Sequence, residues 1–217
     1  MRADPTAVAP CARCGKPAGV CICDRVTPTD TKLRVVILQH PQEDDALLGT
    51  AKLVTASLSR AEIRVGLSWA SLDQALDLRD APRDRWAVLA AAKLPEGVRA
   101  MAGQVPVLLV DRKGAPRRLD DHGLDGILVL DGTWSQAKTL WWRNPWLLKL
   151  PRIALTPREP SMYGRLRKEP RREHVSTLEA IADVLPALGE PETTRDGLRR
   201  LLRTMLQRVR DVAAPAC

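Results

Sequence analysis

The sequence predicts an α/β protein in which a mostly parallel sheet follows a small cysteine-rich knuckle. Short segments that are apolar throughout alternate with segments whose apolar residues recur every three or four positions. These are the patterns of strands buried on both faces and of amphipathic helices, and their alternation is typical of parallel sheets covered by helices on both faces. Four of the five cysteines lie between Cys11 and Cys23, ahead of the first strand.

The predicted elements begin after a loose tail over 1–10, the knuckle over 11–26 and a linker over 27–31. The predicted strands are Leu33–Gln39, Ile63–Val65, Trp86–Ala90, Val105–Val110, Gly126–Leu130 and Arg152–Thr156. The predicted helices are Asp44–Arg60, a helix that begins with Thr133–Trp142, Ser176–Leu188 and Thr194–Val212. A loop over Pro157–Glu173 separates the last strand from the last two helices.

Composition is that of a globular protein. The chain has 217 residues, of which 45% are hydrophobic and 28% charged, with a net charge of +8, and these values exclude a disordered chain. The length predicts one domain with appendages or two small domains. The longest apolar run, Trp86–Ala92, is far shorter than the roughly 18–20 residues that cross a bilayer, and Met1–Pro10 lacks the apolar region of a secretory signal. We therefore expect a cytoplasmic protein.

The aromatic residues are few and clustered. There are six Trp, one Tyr and no Phe, so aliphatic side chains must fill the core. Four tryptophans, Trp134, Trp141, Trp142 and Trp146, share one short segment, which indicates a local role beyond packing.

The cysteines predict a structural zinc site. Cys11 and Cys14 form a C-x2-C pair, and Cys21 and Cys23 form a C-x-C pair. Four thiolates at this spacing can enclose one Zn²⁺, which prefers a closed tetrahedral S4 shell in structural sites. Two alternatives stay open: disulfides, which a reducing compartment disfavours, and a redox pair, which lacks a flanking βαβ pattern. No role is expected for Cys217.

Polar clusters follow three of the predicted strands. They are His40–Glu43, Asp131–Ser135, and the loop from Thr156 to His174. Ligands of parallel α/β sheets bind outside the carboxyl ends of the strands. We therefore expect these three clusters to meet in one site.

Each cluster also has a purely structural interpretation. Thr133 can cap the following helix, with Asp131 near its positive end. Glu43 suits the first turn of a helix. Ser176–Glu179 fits an S-x-x-E capping box, which makes His174, just before it, the more notable titratable group.

Two regions carry much of the positive charge. The loop from Arg158 to Arg172 holds six basic and two acidic residues around Tyr163, and arginines lie mostly opposite the apolar face of the last helix. So basic a loop with an aromatic residue is typical of phosphate-tracking segments. Nucleic acid is therefore favoured over the alternative, a surface charged for solubility.

In this order, the segments resemble the DTW-domain family over residues 11 to about 185. Any one match is weak, but five in the correct order are specific. The matching features are the two cysteine pairs, LQHPQE at Leu38–Glu43, DGTW at Asp131–Trp134 with Ser135–Lys138, S-x-Y at Ser161–Tyr163 with its basic run, and HVSTLEA at His174–Ala180.

The resemblance implies a tRNA-uridine aminocarboxypropyltransferase, which uses S-adenosylmethionine (SAM) to place a 3-amino-3-carboxypropyl group on N3 of a tRNA uridine. It also implies a SPOUT-like fold with a C-terminal knot that holds SAM. The expected division is a tail and zinc knuckle over 1–30, a SAM-binding catalytic domain over 31–190 and a basic C-terminal helix over 191–217. The expected partners are tRNA and SAM, the expected metal is zinc, and a monomer is favoured.

The roles expected of individual residues follow from this chemistry. Asp131 is the first candidate for the base that takes the uridine N3 proton, or else it holds the donor's amine; His40 and His174 are second candidates as the base. Trp134 is expected to contact the amino-acid tail of the donor. The expected catalytic residues are Asp131, Trp134, His40 and Glu43. The expected donor-binding residues are Leu38, Gln39, Leu109, Val110, Leu130, Asp131, Gly132, Thr133, Trp134, Leu155 and Thr177.

The RNA is expected to bind through phosphate contacts and through one aromatic platform, Tyr163 or Trp141, on which the uracil stacks. The expected RNA-binding residues are Tyr163, Arg165, Arg167, Lys168, Arg171, Arg172, Arg199 and Arg203. Two other functions stay open. One is a SPOUT-type RNA methyltransferase, and the other is a non-enzymatic zinc-knuckle RNA-binding protein that uses Trp134 only for packing.

Overall fold

The computed structural model describes residues 9–89, 100–167 and 175–213. The strands in these ranges are β1 (Arg34–Gln39), β2 (Ala61–Val65), β3 (Trp86–Leu89), β4 (Val107–Val110), β5 (Pro116–Arg117), β6 (Gly126–Asp131) and β7 (Arg152–Leu155). The α-helices are α1 (Ala51–Ser57), α2 (Leu72–Leu76), α3 (Trp134–Arg143), α4 (Thr177–Val184) and α5 (Glu192–Ala213). Short 3-10 helices are Cys23–Arg25, Arg83–Arg85, Pro145–Lys149, Gly164–Leu166 and Pro186–Leu188.

The strands described form one sheet in the order β2-β1-β6-β3-β7-β4-β5. The five strands from β2 to β7 in this order run parallel, whereas β4 is antiparallel to both β7 and β5. The predicted α/β class and mostly parallel sheet are therefore confirmed. The pairing of β1 with β6 brings Gln39 opposite Asp131 where both strands end.

Both faces of the sheet are buried. Along β1, Val35 and Ile37 join one apolar cluster, and Val36 and Leu38 join the other. The first cluster packs the sheet against α1, α4 and α5, and the second packs it against α2 and the 3-10 turn Pro145–Lys149. A strand apolar at every position has this arrangement because alternate side chains point to opposite faces.

The cysteine knuckle packs into the first of these clusters. Cys14 and Ile22 share it with Met205 and Val209 of α5. In addition, the guanidinium of Arg208 on α5 donates to the carbonyl of Cys21. The knuckle, the sheet and the last helix therefore share one core.

The helix predicted over Asp44–Arg60 is shorter in the structure and begins at Ala51. The preceding residues form turns, and their carbonyls accept hydrogen bonds from the side chains of Lys16 and Tyr163. Helical periodicity alone does not reveal such tertiary partners. The predicted last residue of β3, Ala90, lies outside the described residues, as do His174 and Cys217.

Among the helices of the three described ranges, none combines the length and the apolar character needed to cross a membrane.

Candidate active site

Three motifs distant in sequence meet on the carboxylate of Asp131. Gln39, at the end of β1, donates from Nε2 to Asp131 Oδ2 at 2.8 Å. Thr177, the first residue of α4, donates its hydroxyl to Oδ1. Asp131 itself is 7% exposed at the end of β6. Asp131 belongs to one of the three polar clusters expected to meet at this edge of the sheet, whereas Gln39 and Thr177 lie just outside the other two.

The turn after Asp131 has a backbone that requires glycine. Gly132 has φ +147°, and a Cβ there would lie 2.9 Å from Cβ of Gln136 and 3.3 Å from Cβ of His40. Thr133 caps α3, and Gln136 completes a capping box with it. Gln136 also donates to the carbonyl of Gln42 at 3.1 Å. The capping interpretation of Thr133 is thus confirmed, and the cap also ties α3 to the loop after β1.

The clustered tryptophans divide between surface and core. Trp134 begins α3 beside Asp131 and is 42% exposed, and Trp142 is 62% exposed. Trp146 is buried and donates its indole N–H to the carbonyl of Trp69 at 2.9 Å. Trp141 is half-buried against the core cluster of α2. The exposure of Trp134 disfavours a role limited to packing.

The loop after β1 turns back towards Asp131. The His40 amide donates to the Asp131 carbonyl at 3.0 Å, and the Glu43 amide donates to the His40 carbonyl at 2.9 Å. His40 is buried and its Nδ1 accepts from the Gln42 amide at 3.1 Å. Burial raises the pKa of the Glu43 carboxyl, and the negative charge of Asp131 raises it further. A carboxyl group with raised proton affinity, that of Glu43, therefore lies at this edge.

A buried lysine of the knuckle fixes the following turn. The Nζ of Lys16, which is 1% exposed, donates to the carbonyl of Leu47 at 2.9 Å and to that of Gly49 at 2.8 Å. Burial lowers the pKa of this amine. The Tyr163 hydroxyl donates to the carbonyl of Leu48, between them, at 2.5 Å. The turn over residues 47–49 is thus held by side chains from two separate segments.

Tyr163 is a core residue, so the prediction that it stacks on the uracil is wrong. Its side chain is 1% exposed, and burial raises the pKa of its phenol. The guanidinium of Arg167 covers its ring at 5.6 Å from the centroid and pairs with Asp45 at 3.8 Å. An aromatic residue in a basic loop predicts a surface position, but the hydroxyl of Tyr163 has a backbone acceptor within the fold, which allows the side chain to be buried.

Glu179 has a second role beyond the predicted capping box. It accepts from the Ser176 amide at 2.8 Å as the box requires. It also accepts from the hydroxyl of Ser161 at 3.0 Å and from the amide of Met162 at 2.7 Å. At 1% exposure, this carboxylate holds the S-x-Y segment against the start of α4. Nothing in the sequence indicates this second role, because the capping box accounts for Glu179 with local partners alone.

The predicted apolar donor pocket does not assemble as expected. Leu130 and Leu155 lie at the carboxyl ends of β6 and β7, at the edge that carries Asp131. Because β4 runs antiparallel, Val110 pairs with Arg152 at the start of β7, so Leu109 and Val110 lie towards the opposite edge. Their assignment to the donor pocket is wrong, because an apolar run does not reveal the direction of a strand.

The arginines expected to bind RNA differ in their surroundings. Arg165 and Arg203 are exposed. Arg199 pairs with Asp183 at 3.2 Å and with Glu159 at 2.7 Å, so its charge is already largely matched. Lys168, Arg171 and Arg172 lie outside the described residues.

The four cysteines of the knuckle are arranged as one ligand set. Their sulfur atoms all lie within 4.8 Å of one another, and two pairs, Cys11–Cys23 and Cys14–Cys21, are 3.7 Å apart. A tetrahedral zinc shell with Zn–S bonds of about 2.3 Å has sulfurs about 3.8 Å apart, so these residues fit the metal. None of the described cysteines forms a disulfide.

The electrostatics of the cluster are uneven. Backbone amides of Cys14 and Arg13 lower the pKa of the Cys11 thiol to about 6, whereas burial raises the pKa of Cys23. The guanidinium of Arg13 is directed to the carbonyl of Ala56 at 2.8 Å. A bound cation would favour the thiolate form at all four positions.

Comparison with known proteins adds a family and several relatives. The DTW domain model matches residues 8–210. A protein of Mus musculus named tRNA-uridine aminocarboxypropyltransferase 2 is 30% identical over 200 residues, and proteins of the same name from Macaca fascicularis and Drosophila melanogaster are 27% and 28% identical over 199 and 204 residues. Each alignment covers 90% of this chain, which spans 61% of the mouse and macaque relatives and 72% of the fly one. No solved structure matches.

Proposed function

Since this chain belongs to the DTW-domain family, we propose that it transfers the 3-amino-3-carboxypropyl group of SAM to N3 of a uridine in tRNA and releases methylthioadenosine. The names of the relatives support this reaction. The observation that carries it here is the convergence of Gln39, Asp131 and Thr177, one residue from each of three family motifs, at the carboxyl edge of the sheet.

The reaction is a displacement in which positioning decides the product. The sulfonium of SAM bears three carbons, and N3 must attack the γ-carbon of the aminocarboxypropyl arm. The N3–C bond forms, the C–S bond breaks with its electron pair left on sulfur, and a base takes the N3 proton. Because methyl transfer is the easier default, the enzyme must align the longer arm with the nucleophile and shield the methyl group, which makes orientation the main catalytic contribution.

We assign Asp131 to the donor's amine. Both of its oxygens already accept a hydrogen bond, from Gln39 and Thr177, and a carboxylate keeps further lone pairs for an ammonium group. Trp134, exposed beside it at the start of α3, and the amides of Gly132 and Thr133 would contact the carboxylate end of the same arm. Leu130 and Leu155, which are half-buried, are the apolar residues left for the adenosine. Leu38 is fully buried in the core, so its predicted contact with the donor is withdrawn.

We assign the proton transfer to Glu43. Its pKa is raised by burial and by Asp131, and a carboxylate with a higher proton affinity is the better general base near neutral pH. Burial and its Nδ1 contact with the Gln42 amide leave His40 as a residue that shapes this loop.

Zinc in the knuckle has a structural role in this proposal. Cys11, Cys14, Cys21 and Cys23 would hold it, and the metal would supply a rigid fold of the knuckle. The cluster packs against α5, and no reaction step involves it.

We further propose the SPOUT-like knot, a cytoplasmic location and a monomeric enzyme. The knot is supported by the parallel strands, because they leave the chain segments after β1, β6 and β7 together at one edge of the sheet. The cytoplasmic location is supported by the described cysteines, which form no disulfide. Arg165 and Arg167, with Lys168, Arg171 and Arg172, are assigned to tRNA phosphates near the uridine.

Mass spectrometry of the modified nucleoside tests the function. We expect tRNA incubated with SAM and the protein to contain a uridine that carries the aminocarboxypropyl group, with methylthioadenosine as coproduct. A methyluridine with S-adenosylhomocysteine would instead identify a methyltransferase. Binding of tRNA without calorimetric binding of SAM would identify a non-enzymatic RNA-binding protein.

A further inference from the structure

A groove separate from the Asp131 site runs along the last helix. It lies between α5 and the segment that contains Glu159 and Met162, and its volume is about 390 Å³. The residues that line it are Glu159, Met162, Arg199, Arg203, Leu206 and Arg210.

The helical spacing places the α5 residues of the groove on one side. Arg199, Arg203, Leu206 and Arg210 are separated by four, three and four positions, so they lie along one face of the helix. The rise per residue separates Arg203 from Arg210 by roughly 10 Å along the helix axis. Two guanidinium groups therefore line an extended track.

The charges along the groove have different functions. Arg199 has a structural role, because it forms ion pairs with Glu159 of the groove at 2.7 Å and with Asp183 of α4 at 3.2 Å. Arg203 and Arg210 are exposed, and neither forms an ion pair with another residue of the described ranges. Between them the floor is apolar, because Leu206 is buried and Met162 is half-buried.

One short segment links the groove to the Asp131 site. The amide of Met162, in the groove wall, donates to Glu179 on α4 at 2.7 Å. Two residues earlier on α4, Thr177 donates to Asp131. The first turn of α4 therefore contacts both the groove wall, through Glu179, and the site, through Thr177.

We propose that this groove binds the phosphodiester backbone of the RNA substrate, away from the reacting uridine. Guanidinium groups along an apolar floor suit a strand that presents phosphates on one side and riboses on the other. This inference rests on the proposed function, because it takes tRNA as the substrate. It deepens that function by giving the last helix a part in substrate binding.

A matched pair of double variants tests the groove. Arg203→Ala with Arg210→Ala removes both exposed charges of the groove. Arg200→Ala with Lys113→Ala is the control, since it removes the same charge at exposed positions outside the groove. The dissociation constant of tRNA is measured for each protein over a range of salt concentrations, and circular dichroism checks that each protein is folded.

We expect the groove variant to bind tRNA on the order of ten-fold more weakly. The negative slope of log K against log salt should become shallower by about 1.4–1.8, the value for two lost phosphate contacts. The control should change both quantities much less, and Arg203→Lys with Arg210→Lys should keep most of the slope. Equal losses in groove and control variants would overturn the inference, as would no loss in either, which would point to an acidic protein as the partner.

The outcome is distinguishable from a failure of the proposed function. If wild-type protein modifies tRNA but the groove variant binds tRNA normally, the groove is wrong and the function stands. If wild-type protein binds tRNA through the groove but forms no aminocarboxypropyluridine, the function is wrong and the binding site stands.

Discussion

The carboxyl edge of the sheet and the cysteine knuckle are two polar clusters built in opposite ways. At the edge, Gln39 and Thr177 come from distant parts of the chain and bond the Asp131 carboxylate directly. In the knuckle, four thiols close in sequence lie together and offer a complete shell to a metal. The Asp131 carboxylate is hydrogen-bonded by the protein itself, whereas the four thiols form a set that could hold a metal. Changes at the edge should therefore affect chemistry more than folding, and changes in the knuckle should affect folding more than chemistry.

Replacing Asp131 should have the largest effect on turnover. Asp131→Ala removes the anion that holds the donor's amine, and we expect aminocarboxypropyl transfer to fall on the order of 10³-fold, measured by single-turnover kinetics. The free energy of unfolding should fall by no more than about 2 kcal/mol, because the two donors left behind can bind water. Asp131→Asn is the isosteric control and should also lose turnover. If both variants unfold, Asp131 has a structural role instead.

Replacing two cysteines should show the opposite balance. In the variant Cys11→Ser with Cys14→Ser, we expect bound zinc to be lost and the free energy of unfolding to fall by about 3 kcal/mol or more. Metal analysis after anaerobic purification and thermal unfolding measure the two effects, with Cys217→Ser as the control. Wild-type protein that contains four reduced thiols and no zinc would refute the metal site.

The sequence predicts those parts of each cluster that depend on residues close together in the chain or on a general rule of the fold. The strand ends at Gln39 and Asp131 followed from apolar runs and from the rule that such ends meet. The knuckle followed from cysteine spacing. The antiparallel direction of β4 could not be predicted, because an apolar run such as Val107–Val110 has the same pattern in either direction. The burial of Tyr163 and the loop contacts of Glu179 also required partners more than a dozen residues away.

Lys16 connects the knuckle to the turn over residues 47–49 and offers a further test. It is a knuckle residue whose amine donates to the turn after Glu43. Lys16→Met leaves the carbonyls of Leu47 and Gly49 without this donor, and we expect a loss of about 2–4 kcal/mol in the free energy of unfolding, together with slower turnover and full zinc content. Lys52→Met, at an exposed neighbouring position, is the control. Equal thermal stability of the two variants would contradict the clamp.

If Glu43 is the base, turnover should depend on pH. The base must be ionised, so turnover should fall as the pH decreases through the raised pKa of this carboxyl, which lies above the ordinary range of glutamate. Glu43→Gln should lower turnover at neutral pH by about 10²-fold and remove this acidic limb from the pH profile. An unchanged limb in the variant would assign the proton to another group.

Trp134 should have the smallest effect. Trp134→Ala should weaken SAM binding about ten-fold, the cost of one lost contact with the donor's tail, and leave tRNA affinity unchanged. Calorimetric titration with SAM measures this. Trp142→Ala is the control, since Trp142 is more exposed on the same helix. Equal SAM affinities in the two variants would remove the role assigned to Trp134.

Two isotopically labelled forms of SAM show which carbon of the donor reaches the uridine. One carries the label on the methyl carbon, the other on the carbons of the aminocarboxypropyl arm, and each is incubated with the protein and tRNA. We predict that only the arm label enters uridine, while the methyl label leaves in methylthioadenosine. Methyl label in uridine would show that the edge around Asp131 presents the wrong carbon to the nucleophile, and would contradict the account.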